Sequence, residues 1–442
     1  MKDIVFSKSF INLKLRNAVY VDKTKDIFYM LKQSDRIFLS RPRRFGKSLT
    51  LDTIGTLFEF GVDPYFKDTW IYPHWNEKTY TVIRLSMLDF PYSDFEEFSK
   101  SFCKWISVQA IKYGVTLNPI NESPAGYLLA FFDGFDLSHQ LVILIDEYDY
   151  QLNHNLNDPD KYQQFLTCLR DFYAVLKDKP QIRFLGITGV TRLKNVSIFS
   201  VGSDIIDLTY KHVAATVTGY TRDEIAGYFK EYLEVIAQKL YKVDFKNCQP
   251  AERQYFINQL LDRMALEYDG YCFDEDYEQK VFSTWSVSSF LNENFFKDQI
   301  FFGDYWFENG GVPSILANYL NTYKADVAKY TQAEPYRVTL NDFKNPTSLL
   351  TMSPTVLMCQ IGYLTLRSRL SSEIELTLGI PNNEIRKALY RLVLVKFTGK
   401  EAVISSEESS VLKHGNADEL LEYFNTVLNT LQYDHYLTSS PL

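Results

Sequence analysis

Five cysteines occur in 442 residues, at Cys103, Cys168, Cys248, Cys272 and Cys359, and no two form a Cys-x-x-Cys pair. An odd, scattered set argues against a disulfide framework or a thiolate zinc site and for reduced, mostly buried thiols. The six histidines show no His-Glu-x-x-His spacing, which argues against a His-ligated metal. No apolar run approaches the roughly 20 residues that span a bilayer, and the first ten residues, MKDIVFSKSF, lack the apolar core of a signal peptide. These absences predict no membrane partner and a cytoplasmic location. An excess of basic charge is also missing. The net charge of −8 gives no global support for nucleic-acid binding, although a local basic face stays open. No internal repeat or low-complexity segment stands out.

What is present is an ordinary globular composition, 46% hydrophobic and 23% charged, long enough for two or three domains with ample core. The 31 tyrosines and 33 phenylalanines follow no RNA-binding spacing and are read as packing residues.

The most informative stretch is Arg36 to Thr50, RIFLSRPRRFGKSLT. Ile37 to Leu39 predicts a buried strand, Arg41 to Ser48 a tight basic loop, and Leu49 the start of an apolar helix. Strand, loop, Gly-Lys-Ser and helix is the arrangement that cradles phosphate: backbone N–H groups and the helix dipole face the anion. In such a loop the lysine reaches the β- and γ-phosphates and the serine hydroxyl ligates Mg²⁺. Arg43, Arg44, Phe45, Gly46, Lys47, Ser48 and Leu49 are therefore the candidate nucleotide-binding residues. The full pattern places a glycine where this chain has Arg41, and Arg41 and Pro42 would stiffen the loop there.

Further on, Leu141 to Ile145 is an unbroken apolar run that ends in Asp146-Glu147. Five apolar residues in a row predict a strand buried on both faces, with its acids at the carboxyl end where open α/β sheets place ligands. Asp146, with Ser48, is the candidate metal ligand, and Glu147 the candidate general base. Ile182 to Gly189 predicts another strand. Thr188 near its end sits where related ATPases carry a polar residue sensing the γ-phosphate. Arg192 either stabilises phosphate charge or pairs with a neighbouring acid.

Asp22 is expected to cap a helix carrying Ile27, Phe28, Met30 and Leu31, and the segment Val19 to Thr24 either lines a base pocket or simply packs. Helices are expected over 93–113 and Tyr162 to Leu176, a strand over Tyr80 to Leu85, and a last core strand over Val213 to Val217. Thr221 and Glu224 read as a capping box that opens a mainly helical region. Two helical stretches followed by strands near Leu364 and Leu376 resemble a winged helix, read as a packing arm in preference to a DNA binder.

With these residues in view, the chain resembles the bacterial AAA-ATPase-like family, whose members often carry a PD-(D/E)xK nuclease-like domain at the C-terminus. The resemblance rests on Tyr20-Val21-Asp22-Lys23-Thr24, Arg41 to Leu49, Leu144 to Asp149 and Thr188 to Arg192. It extends through Ser197 to Ser200, Thr221 to Ile225, Tyr268 to Tyr271, Gly362 to Thr365 and Pro381 to Arg386. It implies that Arg41 is the family's own form of the loop, and an additional-strand ATPase sheet. Val201 and Thr284 depart from the family pattern. No Asp followed by Glu-x-Lys on paired strands occurs in the tail, so the nuclease-like domain is expected to be absent. Asp269 with Glu278 and Lys280 is a decoy for it.

The expected fold is thus α/β, a P-loop NTPase core with a mostly parallel sheet flanked by helices, then a helical region and a winged-helix-like module. The expected boundaries are 1–218 for the core, 219–335 for a helical arm, 336–400 for the winged-helix-like module and 401–442 for a helical tail. The expected function is ATP binding with Mg²⁺-dependent hydrolysis in a switch module. The alternative is a nucleotide-binding scaffold with little turnover that engages a protein or DNA partner through its C-terminal arms. A protein partner or a homo-oligomer is left open.

Overall fold

Alternating strands and helices build the first half of the chain. The structure, a computed structural model, describes residues 1–136, 139–177, 179–193, 204–306, 316, 319, 328–331, 335–346, 348–370, 374–398 and 421. Helices α1 (Phe10–Leu15) and α2 (Thr24–Leu31) precede β1 (Arg36–Ser40), and α3 (Lys47–Phe60) follows the loop. Next come β2 (Thr81–Ser86), α4 (Phe95–Lys112), α5 (Pro124–Gly134), β3 (Leu141–Asp146), α6 (Tyr150–His154), α7 (Pro159–Val175), β4 (Ile182–Gly189) and β5 (Ile206–Asp207). The five strands form one sheet in the order β2-β3-β4-β1-β5, with every neighbouring pair parallel. The strand β4 lies between β1 and β3, the additional-strand arrangement that the resemblance implies.

Side-chain alternation explains why these strands read as continuous apolar runs. In β3, Leu141, Ile143 and Ile145 enter the core shared with Phe98 and Phe102 of α4 and Phe165 and Leu169 of α7. Val142 and Leu144 face the other way, onto Ile27 and Met30 of α2 and Leu51, Ile54 and Phe58 of α3. Both faces are covered by helices, so no polar position is tolerated until the strand ends. Side chains of Asp94, Ser123 and Asp158 cap α4, α5 and α7 by accepting from free N–H groups of the first turn.

Two expectations are corrected. Val213 to Val217 is not a strand: His212–Ala214 is a short 3-10 turn, and the fifth strand is Ile206–Asp207, paired with β1. The carbonyls of Ala214 and Val217 are engaged by side chains of Arg41 and Thr50. Asp22 does bind the N–H of Thr24 at 2.9 Å, but the capping position itself is Lys23.

Helices α8 (Arg222–Tyr228), α9 (Lys230–Tyr241), α10 (Pro250–Tyr268) and α11 (Thr284–Phe296) follow. They pack around their own core of Leu233, Ile236, Leu260, Met264 and Phe290. Thr221 and Glu224 form the expected capping box at α8. The last described elements are β6 (Tyr336–Thr339), α12 (Leu340–Lys344), α13 (Pro354–Gln360), β7 (Thr365–Leu366), β8 (Glu375–Gly379) and α14 (Asn383–Thr398). Their strands make an antiparallel sheet in the order β6-β8-β7. The apolar side chains of this module, Leu357, Tyr363 and Leu376 among them, are continuous with the core on one face of the main sheet.

All five cysteines are free, three of them buried. Among the described residues no helix is long and apolar enough to cross a membrane. The segment Ser197 to Ser200 with Val201, the turn at Gly310 to Pro313, the turn at Ser371-Ser372, and the tail 401–442 with its helix at Ala417 to Leu431 lie outside the described residues, Leu421 apart.

Candidate functional site

The loop between β1 and α3 is held from below by the residue that replaces the first glycine. Arg41 is 1% exposed, and its guanidinium donates to the hydroxyl of Thr218 at 3.1 Å, the carbonyl of Ala214 at 2.7 Å and the carbonyls of Ser40 and Thr209. It also lies over the ring of Phe273, 4.4 Å from the centroid. Burial lowers its pKa to about 10. Arg41 thus takes up the fold's own acceptors and leaves the loop mouth to other residues.

The rest of the loop divides between an inner and an outer side. Arg44 adopts the left-handed backbone (φ 70°) and donates to the carbonyls of Tyr305 and Trp306, so its side chain turns to the helical region. The ring of Phe45 is fully buried against Tyr271, Phe273 and Trp306. Gly46, at φ 89°, precedes α3, and a Cβ added there would meet nothing within 4 Å. The turn needs a left-handed residue, and the space above it is open. Lys47 begins α3, 4% exposed, and donates to the carbonyl of Pro42 at 3.1 Å. The Ser48 hydroxyl makes no hydrogen bond among the described residues. Leu49 packs on the cluster around Phe10 and Phe66. Arg43 is exposed.

The strand ends bring the acids to this loop. In the β1–β4 register Leu39 pairs with Thr188, and in β2–β3 Ser86 pairs with Asp146. Because β4 lies beside β3, the hydroxyl of Thr188 donates to Oδ1 of Asp146 at 2.6 Å. The other oxygen of Asp146 has no partner among the described residues. A free carboxylate oxygen and the free hydroxyl of Ser48 are hard oxygen donors of the kind Mg²⁺ takes. Glu147 leaves the strand with a left-handed backbone (φ 53°), unusual for a non-glycine residue. Burial raises the pKa of its carboxyl; the charges of Lys47 and Arg43 oppose this, and those of Asp149 and Asp146 add to it. Lys47, Arg43, Asp146 and Glu147 therefore share one electrostatic site.

Arg192 pairs with Asp207, donates to the carbonyl of Lys344, and its N–H reaches Gln360 at 3.1 Å. Of the two roles expected for it, pairing with a neighbouring acid is the one present. The decoy does not assemble: Glu278 pairs with Arg369 at 3.5 Å, while Asp269 caps the end of α10.

Two residues beyond the candidate set shape the site. Asp149 is fully buried and accepts from the N–H groups of Val190 and Thr191, the Thr191 hydroxyl and the Asn153 amide. The hydroxyl of Tyr148 donates to the carbonyl of Thr191 and accepts from the N–H of Leu193. Together they pin the segment that leaves β4 after Thr188. The sequence signals were their adjacency to Asp146-Glu147 and their place in the segment Leu144 to Asp149 that carries the resemblance.

Residues 6–199 match the model of a family described as predicted AAA-ATPase. An uncharacterized protein in the vnfD 5' region of Azotobacter chroococcum mcd 1 is 25% identical over 390 residues, which is 87% of this chain and 68% of that protein. Among solved structures, the Walker-type ATPase PABY2304 of Pyrococcus abyssi matches with a TM-score of 0.36 and 11% identity, over 83% of this chain and 94% of that one.

Proposed function

We propose that this chain, whose residues 6–199 match the model of the predicted AAA-ATPase family, binds ATP with its phosphates on the loop before α3 and hydrolyses it with Mg²⁺. The observation that carries this reading is the shared site of Lys47, Asp146 and Glu147, closed by the bond from Thr188 to Asp146. In this reading the N–H groups at the start of α3 and the Lys47 ammonium hold the phosphate chain. Ser48 and Asp146 would hold the metal, which supplies charge neutralisation at the β- and γ-oxygens. Glu147 accepts a proton from the attacking water. Burial raises its pKa, which strengthens it as a proton acceptor. Thr188 fixes the rotamer of Asp146.

A second reading, nucleotide binding with little turnover, draws support from Arg192, whose charge is already paired with Asp207. Turnover and binding assays on the full chain separate the two. Lys47→Ala is expected to abolish ATP binding. Glu147→Gln is expected to keep binding and lower turnover by about a hundredfold or more. Unchanged hydrolysis in both variants sinks the ATPase assignment. Slow wild-type turnover that Glu147→Gln does not reduce favours the scaffold.

The division at 1–218, 219–335 and 336–400 is part of the same proposal, with the last unit read as a winged-helix-like packing arm. The sheet order β6-β8-β7, with α12 and α13 between β6 and β7, supports that reading, as does its seat on the loop. A Cβ on Gly362 would come within 2.8 Å of Pro42.

A further inference from the structure

Asp149 stands at the N-terminal cap of α6, where an aspartate ordinarily accepts from the N–H groups of its own helix. Here the side chain makes no such bond and is spent on the exit of β4. The N–H of Thr191 donates to its carboxylate at 2.7 Å, the Asn153 amide at 2.9 Å and the N–H of Val190 at 3.3 Å, joined by the Thr191 hydroxyl. No lysine or arginine pairs with this fully buried acid among the described residues. We propose that Asp149 is the positioning residue of the hydrolytic site: by tying the exit of β3 to that of β4, it holds Glu147 in the conformation from which it takes a proton. The inference rests on the hydrolysis reading above and adds what fixes the base in place.

Glu147 is the residue that needs holding. Its backbone is left-handed at φ 53°, and a non-glycine residue persists there only where its surroundings over-determine it. Both of its flanks are fixed to β4. Before it, Asp146 accepts from the Thr188 hydroxyl at 2.6 Å. After it, the N–H of Tyr148 donates to the Thr188 carbonyl at 3.0 Å. The Tyr148 hydroxyl donates to the Thr191 carbonyl at 3.0 Å, and Asp149 closes the clamp. The two exits can approach because position 189 is glycine. A Cβ on Gly189 would lie 2.6 Å from Oδ1 of Asp149 and closer still to the ring of Tyr148. A carboxylate suits this place because it only accepts, whereas an amide would turn its own N–H groups toward a donor.

The charge of Asp149 reaches the base as well. Burial raises the pKa of Glu147, Lys47 of α3 and Arg43 of the loop oppose this, and Asp149 and Asp146 add to it. A clamp built from neutral donors leaves that field uncancelled, which a lysine or arginine partner would not.

The test measures ATP binding and Mg²⁺-dependent ATP hydrolysis by the full chain, comparing wild type with Asp149→Asn and Thr191→Val. Asp149→Asn keeps the size, removes the charge and sets an amide against a backbone N–H. It should lower kcat about tenfold or more with ATP affinity within about twofold, and its pH–rate midpoint should move to lower pH. A role in stability alone would lower the melting temperature and leave that midpoint where it is. Thr191→Val removes one donor and keeps the charge, so kcat should fall about threefold with the midpoint unmoved. If Asp149→Asn does not fold, Thr191→Val alone decides. Unchanged kcat in a folded variant, a loss of ATP affinity equal to the loss of rate, or an unmoved midpoint in Asp149→Asn overturns the positioning role and leaves the hydrolysis reading intact. Wild type that does not hydrolyse ATP overturns the hydrolysis reading and this one with it.

Discussion

The guanidinium of Arg41 donates to the carbonyl of Ala214 at 2.7 Å, so the residue that stands where a phosphate loop usually has glycine is a buried tie between β1 and the segment after β5. Its positive charge is spent on four acceptors of the fold, with burial lowering its pKa. The extra arginines of the loop are consequently not equivalent. Arg41 and Arg44 brace it from the protein side, and Arg43 is the one that stays exposed and acts on Glu147.

Arg41→Ala strands three buried carbonyls and a hydroxyl, and should lower stability by about 3 kcal/mol. Arg41→Gly, which restores the usual loop sequence, should lower it as much or more. Urea midpoints of both variants against wild type measure this. A stabilised Arg41→Gly would mean that loop freedom, and not the tie, governs this position.

Thr188→Val removes the donor to Asp146 while keeping the side-chain volume. The expected result is turnover reduced about tenfold with ATP affinity within about twofold, because the hydroxyl orients a carboxylate and carries no phosphate itself. Thr188→Ser should recover most of the rate. Loss of ATP affinity equal to the loss of rate would assign Thr188 to binding.

Burial raises the pKa of Glu147, and a general base works only when deprotonated. The rate of ATP hydrolysis should therefore climb with pH through a value above the ordinary carboxylate range and then level off. A flat profile from pH 5 upward argues that another group takes the proton.

Gly362 has φ 92°, and a Cβ there would approach Cβ of Pro42 at 2.8 Å and the Trp306 ring at 3.0 Å. Gly362→Ala should cost about 2 kcal/mol through backbone strain and the clash with a rigid proline. Amide exchange should rise in the loop and in α13 together. Exchange confined to α13 would show that the module does not brace the loop.

Glu384 is 1% exposed and accepts from the Ser286 hydroxyl and the N–H of Trp306. Burial raises its carboxyl from 4.5 to about 8. The folded protein thus holds a proton that the unfolded chain releases near pH 4.5, so this contribution is full below that pH and is lost as pH rises through about 8. Melting temperature should fall across this window in wild type and fall less in Glu384→Gln. Equal slopes would remove Glu384 as the cause.

Gly46-Lys47-Ser48 after an apolar strand, and Asp146-Glu147 at the end of Leu141 to Ile145, were plain in the sequence because both signals are local. One is a left-handed glycine at a helix start. The other is a strand with no polar residue until its exit, since both faces are covered. The capping box of Thr221 and Glu224 was evident for the same reason. The fifth strand was misplaced because Ile206–Asp207 is only two residues long, too short to show alternation, while Val213 to Val217 is apolar for packing alone. What the long polar side chains touch was decided only by the tertiary structure. Arg41 meets Ala214, Arg44 meets Tyr305, Arg192 meets Asp207 and Lys344, and Thr188 meets Asp146 only because β4 lies between β1 and β3. A flexible guanidinium goes wherever the packed fold leaves unsatisfied acceptors, and those acceptors come from segments far along the chain.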